Sequence, residues 1–101
     1  MATIPILSKL IDAQQMHREY PDSFEVPSAH TLALIKPGDY VKVCREDERF
    51  WCKVLGGSGR YLIAEVENEL VMPANAHINV GQRVRFEHRH IYVVMTPPTQ
   101  H

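Results

Sequence analysis

Gly38-Asp39-Tyr40-Val41-Lys42-Val43-Cys44-Arg45, and after it Arg49-Phe50-Trp51-Cys52-Lys53-Val54-Leu55, is the stretch that decides the fold. Both segments alternate apolar and polar residues with a period of two, the mark of strands that bury one face. The run Arg45-Glu46-Asp47-Glu48-Arg49 between them is too charged for anything but a reversal, so the two segments predict a hairpin. A two-residue turn at Asp47-Glu48 would pair Cys44 with Trp51, Val43 with Cys52, Lys42 with Lys53 and Val41 with Val54. One face then holds Val41, Val43, Phe50, Cys52 and Val54, which suits a core. The other holds Tyr40, Lys42, Cys44, Trp51 and Lys53, which suits solvent. Slipping the pairing by one residue would drive Lys53 in among Val41 and Val43, and an unpaired buried ammonium is prohibitively costly.

Downstream the same period continues. Arg60 to Val66 reads as a third strand, Glu69-Leu70-Val71-Met72 as a fourth, Gly81 to Phe86 as a fifth and His90 to Met95 as the last. Gly56-Gly57-Ser58-Gly59 and Pro73-Ala74-Asn75-Ala76 read as turn and loop. The apolar parity changes between Val84/Phe86 and Ile91/Val93, so the chain must break around Glu87-His88-Arg89.

Upstream the period is helical. A helix is expected from Ser8, as cap, to Tyr20, ended by Pro21, and a shorter one from Ser28 to Ile35, ended by Pro37-Gly38. The expectation is a single domain over residues 1–101: a helical lead-in over 6–37, a β core over 38–95 and a frayed tail over 96–101. Its class is α+β, a small twisted antiparallel sheet curled into an SH3-like, partly open barrel with one or two N-terminal helices.

Composition excludes several functional classes. The 101 residues are 45% hydrophobic and 23% charged, with a net charge of −1, which excludes a disordered acidic chain and a histone-like partner of nucleic acid. No apolar run approaches a membrane span, and the N-terminus lacks the basic lead of a secretory signal. Two cysteines make no disulfide framework, so a reducing cytoplasm is the expected location.

His88 and His90, two residues apart, with His77 upstream, are the candidate metal ligands, although the break at Glu87–Arg89 turns the first two apart. His-Glu-x-x-His, Cys-x-x-Cys, Gly-x-Ser-x-Gly and a phosphate-binding Gly-Lys-Ser are absent, and Glu65, Glu67 and Glu69 read as a solvated strand row. No catalytic residue and no cofactor is expected. The outward face of the hairpin stands out instead. Tyr40 and Trp51 beside Lys42 and Lys53 form a platform for a peptide or for nucleobases, unless the first helix lies over it and buries Trp51 with Leu10 and Ile11. Arg83 and Arg85 on the fifth strand, with Arg60 and Arg89, are the basic residues a nucleic acid would use.

In order along the chain, Gly38-Asp39-Tyr40-Val41-Lys42-Val43, Glu48-Arg49-Phe50-Trp51-Cys52-Lys53-Val54, Asn68-Glu69-Leu70-Val71 and Gly81 to Ile91 resemble a family of small bacterial proteins of unknown function. The resemblance implies a β-barrel-like domain and supplies no activity or site residue. The functional expectation is therefore a non-enzymatic binding module with a protein or peptide partner, using Tyr40, Lys42, Trp51, Lys53, Arg83 and Arg85. The alternatives are a nucleic-acid accessory protein and, third, a metal-linked hydrolase or carrier. Either a monomer or a homodimer fits, and no membrane association is expected.

Overall fold

The computed structural model describes residues 3–97, with the side chain of Ser58 left out. The hairpin forms as expected in kind: β1 (Tyr40–Arg45) runs antiparallel to β2 (Glu48–Ser58). Its turn is Glu46-Asp47, one residue earlier than Asp47-Glu48, and both turn residues have positive φ, 51° and 62°. Two left-handed residues in a two-residue loop make the turn whose twist matches that of the flanking strands. The pairing is therefore Val43 with Phe50, Lys42 with Trp51, Val41 with Cys52 and Tyr40 with Lys53. Lys42 does not face Lys53, and the expected like-charge pair does not exist. The correction is a displacement of two residues, one full side-chain period, so each residue keeps its face. Val41, Val43, Phe50, Cys52 and Val54 are all buried, as the alternation required.

β3 (Tyr61–Val66) and β4 (Arg83–Glu87) continue the antiparallel meander, and β5 (Val93–Met95) returns to the far side of β1. The order across the sheet is β4-β3-β2-β1-β5. The sheet is open: β4 and β5 are its edges and do not pair with each other. β2 runs longer than expected, because Gly56-Gly57-Ser58 belongs to the strand and only Gly59-Arg60 turns the chain. Gly59 is the residue that permits this tight turn, at φ 62°. A bulge between Val54 and Gly56 bends β2 and curls the sheet. The break expected at Glu87–Arg89 is a one-turn 3-10 helix, His88–His90, which turns the chain from β4 toward β5.

Glu69–Met72 is not a strand. It lies in the loop 67–82, whose ends meet where Gly81 N–H donates to the Val66 carbonyl (2.8 Å) and Val66 N–H to the Gln82 carbonyl (2.9 Å). The amides of Val71 and Met72 bind the Glu48 carboxylate (2.6 and 3.0 Å), which removes them from any ladder.

The first helix, α1, spans Ala13–Glu19, four residues shorter at its start than expected. Asp12, not Ser8, caps it, accepting from Gln15 N–H at 3.0 Å. Before it the chain is extended: Ile6 bridges to Arg85 in parallel and Leu10 to Arg45 antiparallel, with a turn at Ser8-Lys9 between. Sheet pairing competes with helix here and wins, because it satisfies edge groups of β4 through Ile6 and of β1 through Leu10 and Ile11. α2 (Ala29–Ala33) begins just after the expected start, Ser28, whose side chain caps it, and ends before Ile35.

The main core forms on the inner face, where Phe50, Phe86, Val84 and Leu62 pack with Leu7, Ile78 and Ile91. Leu32 and Ile35 of the second helical segment lean on it. A smaller cluster sits on the outer face, where Ala13 packs with Cys44 and Tyr92, backed by Ile11, Phe24 and Val26. Among the described residues no helix is long and apolar enough to cross a membrane.

Candidate functional site: the open half of the outer sheet face

The outer face of the β1–β2 ribbon divides into two halves. Near the turn, α1 and the segment behind it cover Cys44. Farther along, Lys42, Trp51, Tyr40 and Lys53 remain half-buried, and neither Leu10 nor Ile11 belongs to a cluster that includes Trp51. The helix covers the Cys44 end of the outer face and leaves the platform end open.

Strand pairing orders this open half into rows. Val93, Lys42 and Trp51 form one row, and Met95, Tyr40, Lys53, Glu65 and Arg83 form the next. Val93 and Met95 are 39% and 49% exposed, so two apolar side chains flank the aromatic pair. The Lys42 ammonium lies 5.0 Å from the centroid of the Trp51 ring. A cation over such a partly exposed indole contributes about 0.5–1 kcal/mol. Trp51 is fixed along its backbone as well: its N–H donates to Asn68 Oδ1 (2.7 Å) and its carbonyl accepts from Glu67 N–H (2.9 Å).

Of the basic residues proposed beside this platform, most are engaged elsewhere. Arg85 donates from Nε to the Ile4 carbonyl (2.7 Å) and stacks 5.4 Å from the Tyr61 ring, tying the N-terminal segment to β4. Arg89 bridges Glu87 (2.6 Å) and Asp12 (2.9 Å), locking the start of α1 to the 3-10 turn. Arg60 pairs with Glu87 at 3.4 Å. Arg83 remains exposed on the edge strand, with Glu65 directly opposite.

The histidines stay apart. Among the described residues no three His, Cys, Asp or Glu side chains gather as a metal site would require. His77 is exposed, His88 is half-buried, and His90 is buried with its Nδ1 accepting from Glu87 N–H (3.2 Å). Burial holds the His90 imidazole below its ordinary pKa, so the ring is neutral and structural. His101 lies outside the described residues.

Neither thiol is placed for nucleophilic work. Cys52 is fully buried and burial pushes its pKa up to about 12. Burial also raises Cys44, which sits in the smaller cluster against Tyr92. An activated cysteine needs the opposite shift.

Two features escaped the sequence reading. The first is a solvent-open groove of about 610 Å³ beside β5, lined by Tyr92, Val93 and Val94 on one bank and by residues 22–27 on the other. Arg49 lies within it, its guanidinium 4.5 Å from the Tyr92 ring centroid and 5.9 Å from that of Phe24. The second is a buried polar node at the turn end of the ribbon. Arg45, 4% exposed, donates to Asn75 Oδ1 (2.6 Å) and to the carbonyls of Ala74 (3.0 Å) and Ser8 (2.9 Å). Asn75 in turn donates to the Arg45 carbonyl (2.9 Å) and to Glu48 (3.0 Å). That bond from Asn75, with the amides of Val71 and Met72, holds the Glu48 carboxyl below its ordinary pKa. The node pins the loop 67–82 to the hairpin. Arg49 reads in the sequence as one more charge of a turn, and nothing near Asn75 marks it as a partner for a residue 30 positions away.

Searches of protein-family profiles, of curated proteins and of solved structures find no match to this chain.

Proposed function

We propose that this domain is a non-enzymatic binding module that receives a protein or peptide partner on the open half of its outer sheet face. One observation carries the reading: Tyr40, Lys42, Trp51 and Lys53 share an uncovered face with the exposed Val93 and Met95. Two half-buried aromatic residues flanked by apolar and basic side chains are the composition of a protein-interface hot spot. The architecture around it supports an SH3-like, partly open barrel: a four-stranded meander, a bulged long strand shared between two pairings, and a 3-10 turn returning β5 to β1. A nucleic-acid partner fits less well, because Arg60, Arg85 and Arg89 are engaged within the fold and Glu65 stands in the row between Lys53 and Arg83. The resemblance to small bacterial proteins adds no competing activity.

The test is amide-shift mapping on the full chain. A pool of linear octapeptides and a single-stranded 12-nucleotide oligomer are titrated separately. Peptide-induced shifts centred on Tyr40, Lys42, Trp51, Lys53, Val93 and Met95 are expected. Shifts centred on loop 67–82, or shifts produced by the oligonucleotide alone, would overturn the reading.

A further inference from the structure

The groove beside β5 is continuous with the open face, since Val93 belongs to both. We propose that it is a slot for one extended peptide, which adds to β5 as a sixth strand and sets an acidic side chain against Arg49. This deepens the proposed function and rests on it.

Three independent features of the groove agree. First, β5 is an edge, with β1 as its one strand neighbour. Its outward backbone groups are a template for another strand, and main-chain hydrogen bonds are what such peptide recognition uses. Second, the opposite bank is chain outside any helix or strand, with an apolar lining from Phe24, Val26 and Pro27. A volume of about 610 Å³ is ample for several residues of a strand. Third, Arg49 is exposed and stacked, and among the described residues no carboxylate lies within 4.0 Å of it. The Tyr92 ring, 4.5 Å from the guanidinium, holds Arg49 in the groove and leaves its donors to a planar acceptor, which a carboxylate matches in two parallel hydrogen bonds.

The charges of the two banks specify the occupant further. Asp22 and Glu25 line the bank across from β5, while Arg49 lies on the strand side. A peptide of β-forming residues with an acid toward the sheet and a base toward Asp22 and Glu25 meets both. A polyanion such as a nucleic acid would set phosphates against those carboxylates.

A displayed library of random linear octapeptides, selected against the full chain, supplies the probe. Enriched sequences should carry one acidic position among β-branched residues, and one basic position on the alternate face. Methylating alternate backbone amides of a selected peptide should weaken it at least tenfold in one phase and leave it nearly unchanged in the other. Arg49→Glu should weaken binding at least tenfold, and replacing the peptide's acid by lysine should restore it. Failure to enrich any peptide overturns the proposal, as does binding indifferent to N-methylation and to Arg49→Glu. Affinity lost on Trp51→Ala or Lys42→Glu, but on neither of those, would keep the open face as the site and exclude the slot. A concentration-dependent dimer disrupted by Arg49→Glu, with no peptide enriched, would overturn it in favour of a second copy of the chain. The N-methylated peptides test the slot on unaltered protein, whatever the folding of the variants.

Discussion

The two ends of the β1–β2 ribbon carry similar residues and treat them differently. At the turn end, Arg45 and Glu48 are drawn into a node in which Asn75, the Ala74 and Ser8 carbonyls and the amides of Val71 and Met72 all find partners. At the other end, Lys42, Lys53, Tyr40 and Trp51 stay half in water, and the main contact among them is one cation over one ring. Polar groups invested in the fold are bonded on every side, because an unmade hydrogen bond in the interior is expensive. Polar and aromatic groups left at the surface without such bonds contribute little to stability and are available to something else. The contrast separates residues that hold this molecule together from residues that the fold leaves largely unengaged.

Removing Arg45 should break the contrast most severely. Arg45→Met leaves the acceptors of Asn75, Ala74 and Ser8 without their donor, and we expect a loss of about 3 kcal/mol in urea-induced unfolding. Peptide affinity of the remaining folded protein should not change.

Acid should act on the same end. The Glu48 carboxyl is lowered by its bond from Asn75, and Glu87 by its bond from Arg89. Asp12 is also lowered: burial raises it, but the Gln15 amide and the Arg89 guanidinium outweigh this. A carboxyl lowered in the fold stabilises fully above its unfolded pKa, and that stabilisation is lost as pH falls through the folded one. His90, lowered by burial, follows the same sign from a higher start, since the unfolded imidazole takes up its proton first. Stability should therefore decline below the ordinary His value of 6.5 and more steeply below the ordinary Glu value of 4.5. Urea midpoints across this range check it, with Glu48→Gln flattening the acid limb.

A gentler test sharpens the turn. Replacing Glu46-Asp47 by Asn-Gly suits two left-handed positions better and should add about 1 kcal/mol. A loss instead would refute the observed turn in favour of Asp47-Glu48. At the open end, Lys42→Ala should cost less than about 1 kcal/mol while weakening peptide binding.

The ribbon also illustrates what its sequence makes legible. Alternation assigned Val41, Val43, Phe50, Cys52 and Val54 to the core, and their burial agrees. It did so although the turn was placed one residue late, because the error moved the pairing by a whole period. The register itself was not legible: Glu46 carries no signal for a positive φ, whereas asparagine or glycine would. Helical spacing likewise overran into residues 8–12, where Leu10 bridges to Arg45 and Ile11 N–H donates to the Cys44 carbonyl, a need for partners created by distant chain. Of the candidate site, the Tyr40/Lys42/Trp51/Lys53 face was readable from period alone. Arg85 and Arg89 were readable only as outward charges, and their partners Ile4 and Asp12 come from the far end of the chain. The groove was invisible for the same reason, since its banks are about 70 residues apart, from Phe24 to Val94.

Trp51 is the single tryptophan, so its fluorescence reports on the open face alone. Acrylamide quenching of the full chain, before and after adding a selected octapeptide, is the most direct measurement. The account predicts an indole accessible to quencher in the uncomplexed protein and shielded once the peptide is bound. A blue, quencher-resistant emission in the uncomplexed protein would contradict it, because the face would then already be filled.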